Sequence, residues 1–133
     1  MLETRINREY VRTDHWSVVA KMSKDEISEQ WVEVRIPNLA AGGLLFLSDI
    51  TFENGTELWF DLIIDPMMPG IAGTIPMKVK GVVRGDRGLV DDLHAYSVEF
   101  IAISNSNRIR LDELVRMTNY KYKLDNESDI FDR

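Results

Sequence analysis

Apolar and polar residues alternate with a period of two along most of the chain between residues 16 and 103. Side chains of a β-strand point to opposite faces in turn, so this alternation predicts strands with one buried face. We predict six strands, over residues 16–22, 31–36, 43–47, 56–64, 77–84 and 95–102. Six short strands joined by turns favour an all-β fold, a closed or nearly closed antiparallel barrel, because closure removes the exposed edges of the sheet.

Two of the predicted connections carry residue types that turns prefer. Residues 38–43 are predicted as a tight turn, because Gly42-Gly43 permits backbone angles that other residues avoid. Residues 85–92 are predicted as a charged reversal between the last two strands, since they combine glycine with aspartate and arginine.

At Ser104 the pattern changes to the period of a helix. The residues at helical spacing are Leu111, Leu114, Val115 and Thr118. Ser104 or Asn105 can cap the first turn, and the spacing predicts a C-terminal α-helix over residues 104–123 that packs on the barrel through a narrow stripe. Residues 125–132 carry four acidic residues and no basic one, which predicts a disordered acidic tail over residues 125–133.

The composition favours one domain and excludes several kinds of site. The 133 residues, 44% hydrophobic and 29% charged, suit a single domain over residues 1–124, with a barrel over residues 14–103. The absence of cysteine excludes thiolate chemistry and disulfides. No apolar stretch follows the first residues, so we expect neither a signal peptide nor membrane insertion, and a cytoplasmic location. No nucleophile is paired with a base, and we predict no catalysis, no metal site and no cofactor.

The distribution of charge narrows the class of partner. The net charge of −6 disfavours DNA and RNA, including single-stranded nucleic acid bound along a basic groove. Residues 5–12 run against this average, with three arginines and one glutamate, and define a basic N-terminal arm over residues 1–13. An acidic protein with a basic arm suggests a small anion as ligand.

Within the arm, Arg8 and Arg12 have a spacing that preserves the side on which they lie, in an extended segment or on a helical turn. Two guanidinium groups placed together favour an anion between them, and each can bind phosphate or the edge of a guanine, or stack on a purine. Considered alone, the pair is more readily interpreted as solvated charges on a mobile arm than as a ligand site.

Between the second and third strands, Asn38 lies five residues ahead of Gly43. A glycine-containing turn lets a ligand approach the backbone, and the asparagine amide can both donate to and accept from a base. An ordinary hairpin connection explains the same residues if they are taken in isolation.

Together, Arg8-x-x-x-Arg12 ahead of the first strand and Asn38-x-Ala40-x-x-Gly43 between the next two resemble the PilZ domain family. The resemblance extends to the terminal helix and includes residues 81–84 and 96–100. It implies a six-stranded antiparallel barrel with a C-terminal helix that binds the bacterial second messenger cyclic di-GMP (c-di-GMP).

The resemblance assigns ligand contacts to Arg8, Arg12, Asn38 and Gly43, with Arg5 and Arg84 as further candidates for ligand binding. Ala40 stands in the ligand-binding motif where the family usually has serine. Loss of that hydroxyl removes one hydrogen bond, worth about 0.5–1.5 kcal/mol, and predicts weakened binding.

The resemblance therefore predicts a c-di-GMP receptor whose arginine-bearing arm becomes ordered on the ligand and changes the contact with an unidentified downstream protein. The alternative is a PilZ-like adaptor that acts through protein contacts without nucleotide. Ala40 favours the adaptor, whereas the retained arginine pair favours the receptor.

Overall fold

The computed structural model describes residues 12–13, 16–27, 29–66 and 73–131, and of residues 12–13 and 121–131 it describes the backbone alone. These residues form seven strands and one helix. In chain order they are β1 Arg12–Thr13, β2 Ser17–Ser23, β3 Val32–Ala40, β4 Gly43–Ser48, β5 Glu57–Asp65, β6 Ile75–Val90, β7 Leu93–Ala102 and α1 Asn105–Phe131.

Six of the strands close into an antiparallel barrel, as the alternating pattern predicts. Their order around the barrel is β3-β2-β5-β6-β7-β4, and pairing of β4 with β3 completes the ring. The short β1 adds to β3 and was not predicted, since two residues are too few to show a period. Arg12–Thr13, which the sequence analysis assigned to the basic arm of residues 1–13, therefore pairs with the sheet, and residues 1–11 lie outside the described part.

The barrel interior holds an aromatic cluster. Phe46 lies at the centre, with ring centroids 5.4 Å from Phe60 and 5.5 Å from Tyr96. All three side chains are almost completely buried. Such aromatic pairs contribute about 0.5–1.5 kcal/mol beyond the burial of their area, so the cluster fixes the shape of the wall on which the candidate site lies.

The helix packs on the barrel through the predicted stripe. Leu111 and Val115 are fully buried in the same core as the strands, and Leu114 and Thr118 are nearly so. The hydroxyl of Ser104 accepts a hydrogen bond from the Asn107 N–H at 3.1 Å, which confirms Ser104 as the N-cap. The helix contacts β1 and β3, so it lies beside the strand that carries Asn38 and Ala40.

The helix does not end where the sequence pattern suggests. It continues to Phe131, so residues 125–131 are helical rather than a disordered tail, while residues 132–133 lie outside the described part. The barrel-facing stripe becomes polar after residue 122, which is why the period alone predicts an earlier end.

The connection between β6 and β7 is also shorter than predicted. Residues 85–90 continue β6, and the turn consists of Asp91 and Asp92 with φ of 52° and 65°. These are left-handed conformations, which aspartate tolerates better than most residues. Residues 86–90 are all exposed, so they lack the burial on one face that produces a period of two.

Candidate functional site

The two motifs singled out in the sequence meet at the pairing of β1 with β3. Arg12 lies directly opposite Ala40, and Thr13 opposite Leu39. Opposed residues of an antiparallel pair have Cα atoms about 4.5–5.5 Å apart, so the backbone of the second predicted arginine is fixed beside the Asn38–Gly43 segment. Arg5 and Arg8 lie outside the described residues.

The connection between β3 and β4 is tighter than residues 38–43. Residues 38–40 belong to β3, and the turn itself is Ala41-Gly42. Among the glycines described, those with positive φ are Gly55, Gly73 and Gly88, so the tight turn forms without the special backbone angles that the glycine pair permits. The connection is therefore two residues long, shorter than the turn predicted over residues 38–43.

Gly43 is required by a different constraint, the close approach of two strands. It lies opposite Glu99 of β7, and a Cβ atom at this position would overlap the carbonyl oxygen of Val98. A residue with a side chain could not occupy the position without displacing backbone. Gly43 therefore keeps β4 against β7, which is a structural role separate from the predicted contact with a ligand.

Asn38 presents a hydrogen-bond acceptor that the described residues leave unused. It pairs with Leu45 just after an irregularity in β3, and its Oδ1 is buried without a hydrogen-bond partner in the described part of the chain. An unsatisfied buried acceptor costs about 1–3 kcal/mol, so the position favours a group that can donate to it. The amide lies two residues from Ala40, the residue opposite Arg12.

Ala40 completes the motif without adding a polar group. It is 3% exposed and lies outside the apolar cluster that includes its neighbour Leu39. Because side chains alternate along a strand, Asn38 and Ala40 lie on the face opposite Leu39, which is the outer face of the barrel. The position at which the family usually has a serine hydroxyl is therefore a buried position of the candidate site.

Arg84 already has a partner. Its Nε lies 2.7 Å from Glu99 Oε1, and both side chains are more than half exposed. Exposed ion pairs of this kind contribute about 0–1 kcal/mol, so the guanidinium can exchange its partner at little cost. Glu99 is opposite Gly43, which places this pair at the end of the candidate site formed by β4 and β7.

Trp16 and Thr118 connect the start of β2 to the helix, a link that the periodic pattern does not reveal. Trp16 is 9% exposed, and its Nε1 donates a hydrogen bond of 2.7 Å to the Thr118 hydroxyl. The sequence shows Thr118 as one member of an apolar stripe. A hydroxyl among aliphatic residues on that stripe is the available signal, since a buried hydroxyl needs a polar partner.

A groove of about 650 Å³ lies where β2 and β3 separate. It is lined by Trp16, which precedes β2, by Val18 of β2, and by Arg35 and Pro37 of β3. Asn38, Ala40, Gly43 and Arg84 do not line it, although Pro37 precedes Asn38 directly. The candidate site is thus a face of the barrel beside the groove, rather than the groove itself.

Comparison with known proteins identifies the fold. The PilZ domain model matches residues 6–117. Similar solved structures include the Bacillus subtilis inhibitor of motility MotI/DgrA (TM-score 0.69, 22% identity, 86% of this chain and 52% of that one). The PilZ domain of Escherichia coli YcgR with c-di-GMP (0.55, 14%, 91% and 98%) and the K. pneumonia MrkH–c-di-GMP complex (0.61, 11%, 90% and 55%) are also similar.

The chain spans about half the length of MotI/DgrA and of MrkH, and nearly all of the YcgR domain. A search of curated proteins finds no match. The helix of the described chain is not apolar enough to cross a membrane. The family model covers most of the chain, and the barrel with its C-terminal helix agrees with it: the chain belongs to the PilZ domain family.

Proposed function

We propose that this protein is a c-di-GMP receptor that holds the nucleotide between its N-terminal arginines and the outer face of β3. The observation that carries the proposal is the register of β1, which sets Arg12 opposite Ala40. Two residues that are 28 positions apart in sequence are thereby neighbours, in the arrangement that a ligand contacting both segments would need.

The chemistry of the site suits the two halves of the ligand. The phosphates of c-di-GMP are anionic, and an arginine guanidinium offers them a rigid pair of donors or stacks on the guanine ring. Guanine carries N–H donors on its Watson–Crick edge, which match the buried, unused acceptor of Asn38. We assign phosphate binding and stacking to Arg8 and Arg12, and base recognition to Asn38.

Arg84 and Arg5 have supporting roles in this proposal. Arg84 would leave Glu99 for a ligand phosphate, because the pair is exposed and weak. Arg5 would add to the positive field of the arm. The family membership and the likeness to two PilZ structures solved with c-di-GMP support the choice of ligand.

Signalling in this proposal comes from the arm. Arg12–Thr13 is already part of the sheet, so the change on binding concerns the residues that precede Arg12. Closure of these residues over the nucleotide would change the surface next to β3 and α1, and a downstream protein would read that surface. We expect an affinity in the micromolar range, about −8 kcal/mol.

The test is a calorimetric titration of the Arg12→Ala variant with c-di-GMP. Loss of a charge-assisted contact should weaken binding at least about tenfold. Arg87→Ala, on the exposed β6–β7 hairpin, is the matched control and should bind like the unmodified protein. Equal affinity of Arg12→Ala and Arg87→Ala would refute the assignment.

The second candidate function is that of a protein adaptor that needs no nucleotide. The buried Ala40 favours it, since the serine hydroxyl that PilZ receptors usually offer is missing. An adaptor gives no reason for a buried acceptor at Asn38, and we therefore rank it second. Tight association with a partner protein, unchanged by c-di-GMP, would support it.

A further inference from the structure

The outer face of the barrel carries a row of alternating charge across four neighbouring strands, which we call the charge ladder. Across β3, β2, β5 and β6 the residues paired in this row are, in order, Glu33, Lys21, Asp61 and Lys78. All four side chains are exposed. None of the ion pairs that join described residues includes any of them. The ladder can therefore be paired by charged groups from outside the chain.

An apolar pair lies beside the charge ladder on the same face. Val19 of β2 is 50% exposed and is paired with Ile63 of β5, which is 44% exposed. Each residue is two positions from the ladder along its strand, so both side chains lie on the ladder's side of the sheet. The face thus combines exposed apolar surface with polar surroundings, as protein interfaces do.

Two tryptophans order the basic edge of this face. The ammonium of Lys78 lies 5.6 Å from the ring centroid of Trp31, and that of Lys80 lies 5.5 Å from the ring centroid of Trp59. Such cation–π contacts hold a lysine side chain over the ring. A side chain that is already ordered loses less entropy on association, so this edge is prepared for a partner.

The order of the charges indicates which partner fits. A second copy placed face to face, with a two-fold axis along the strands between β2 and β5, presents its ladder in reverse order. Lys21 then faces Asp61 of the second copy, and Glu33 faces its Lys78. The outer pair relies on the reach of long side chains, because a barrel wall curves away from the axis. A two-fold axis across the strands would instead set each charge on its own copy.

We propose that the outer face of β3, β2, β5 and β6 binds the same face of a second copy of this chain, in a two-fold dimer whose axis lies along the strands. Lys21 and Asp61 of the two copies form a cluster of alternating charge at the centre. The same axis sets Val19 of each copy against Ile63 of the other, so the apolar pairs also cover each other. The candidate ligand site, at Asn38, lies toward the other end of β3, and the proposal does not depend on nucleotide binding.

The first test is sedimentation equilibrium of the full chain and of two charge-reversal variants. We expect the unmodified chain to dimerise at concentrations up to about 1 mM. Lys21→Glu and Asp61→Lys should each raise the dissociation constant more than about tenfold, because each change creates two like-charge contacts in the dimer. Arg87→Glu and Glu53→Lys are the matched controls, at exposed positions outside this face, and should dimerise normally.

An equimolar mixture of Lys21→Glu and Asp61→Lys distinguishes this register from any other. In the mixed pair the two substituted residues face each other with opposite charge, so the mixture should regain the affinity of the unmodified chain. An unmodified chain that is monomeric at all concentrations, or single variants that dimerise like the controls, would overturn the proposal. A mixture that stays monomeric, although circular dichroism shows both variants folded, would overturn it as well.

The second test uses cysteines at exposed positions, where the core is not disturbed, in a chain that has no cysteine of its own. Facing sheets lie about 10 Å apart, so a short bifunctional thiol reagent can join side chains that face each other. A mixture of Val19→Cys and Ile63→Cys should form cross-linked dimers. Leu89→Cys, at a residue that is 65% exposed on β6 but outside this face, is the control for random collision. Cross-linking of the mixture no faster than that of Leu89→Cys would contradict the proposed dimer.

Discussion

The indole N–H of Trp16 donates a 2.7 Å hydrogen bond to the hydroxyl of Thr118, which in turn donates to the carbonyl oxygen of Leu114 at 2.8 Å. Both side chains are buried, and 102 residues separate them in sequence. Trp16 lies between β1 and β2 and immediately precedes β2. The hydrogen bond therefore connects this part of the chain to the C-terminal helix. The position of the candidate site thus depends on the helix as well as on the barrel wall.

Removal of the Thr118 hydroxyl should destabilise the fold more than the loss of one ordinary hydrogen bond. In Thr118→Val the Trp16 N–H remains buried without its acceptor, and we expect the free energy of unfolding to fall by about 1–3 kcal/mol. Thr118→Ser keeps the hydroxyl and should cost less. Urea denaturation of the two variants measures the difference, and equal stabilities would show that the bond does not contribute.

Asn38 should show a conflict between stability and binding. Asn38→Leu removes a buried acceptor that has no partner among the described residues, so the nucleotide-free protein should gain about 1 kcal/mol. The same change removes the group proposed to recognise guanine and should weaken c-di-GMP binding at least about tenfold. Thermal unfolding and calorimetric titration measure the two effects. A variant that is more stable and binds normally would remove Asn38 from the site.

Substitution of Gly43 should lower the stability of the fold rather than remove a direct contact with the ligand. Because a Cβ atom there meets the carbonyl oxygen of Val98, Gly43→Ala should lower the free energy of unfolding by about 1–3 kcal/mol without any nucleotide present. Gly55→Ala is a useful comparison. The φ of 93° at this position strains an alanine, but nothing lies within 4 Å of the added Cβ atom. An undisturbed Gly43→Ala variant would show that β4 and β7 are farther apart than described.

The β6–β7 hairpin offers a prediction on pH. The backbone N–H of Gly88 donates to Asp86 Oδ1 at 2.8 Å and lowers the pKa of this carboxyl from its ordinary value of 3.8, with a further contribution from His94 at 2.9 Å. A lowered pKa favours the ionised form in the folded state, so the small stabilisation is present above about pH 4 and is lost as the pH falls through the folded-state pKa. NMR titration of the Asp86 carboxyl carbon measures it.

His94→Ala separates the two causes in that titration. The larger one is the Gly88 hydrogen bond, so the pKa of Asp86 should stay below 3.8 in the variant. A midpoint that returns to 3.8 would assign the effect to the histidine instead.

The barrel could be predicted from sequence because apolar and polar residues alternate with a period of two in each strand that has one buried face. Residues 85–90 were not predicted as strand because residues 86–90 are all exposed, and residues 125–131 were not predicted as helix because the apolar spacing of residues 111–118 does not continue through them. The Asn38 motif was placed in a turn rather than on a strand because its glycines are also used for close strand packing. Such packing depends on a distant partner, Val98, that no local pattern specifies.

The proximity of Arg12 to Ala40 could be predicted only in part. The sequence shows both motifs and their spacing, and the family resemblance predicts that they share a ligand. The register that brings their backbones together is a property of the sheet and required the structure.

Calorimetric titration of the unmodified protein with c-di-GMP, with GTP as the control nucleotide, tests the central claim most directly. We predict saturable binding of c-di-GMP with a dissociation constant in the micromolar range and no heat of binding with GTP. Absence of c-di-GMP binding at nucleotide concentrations up to about 1 mM, or equal binding of both nucleotides, would contradict the assignment of this barrel as a c-di-GMP receptor.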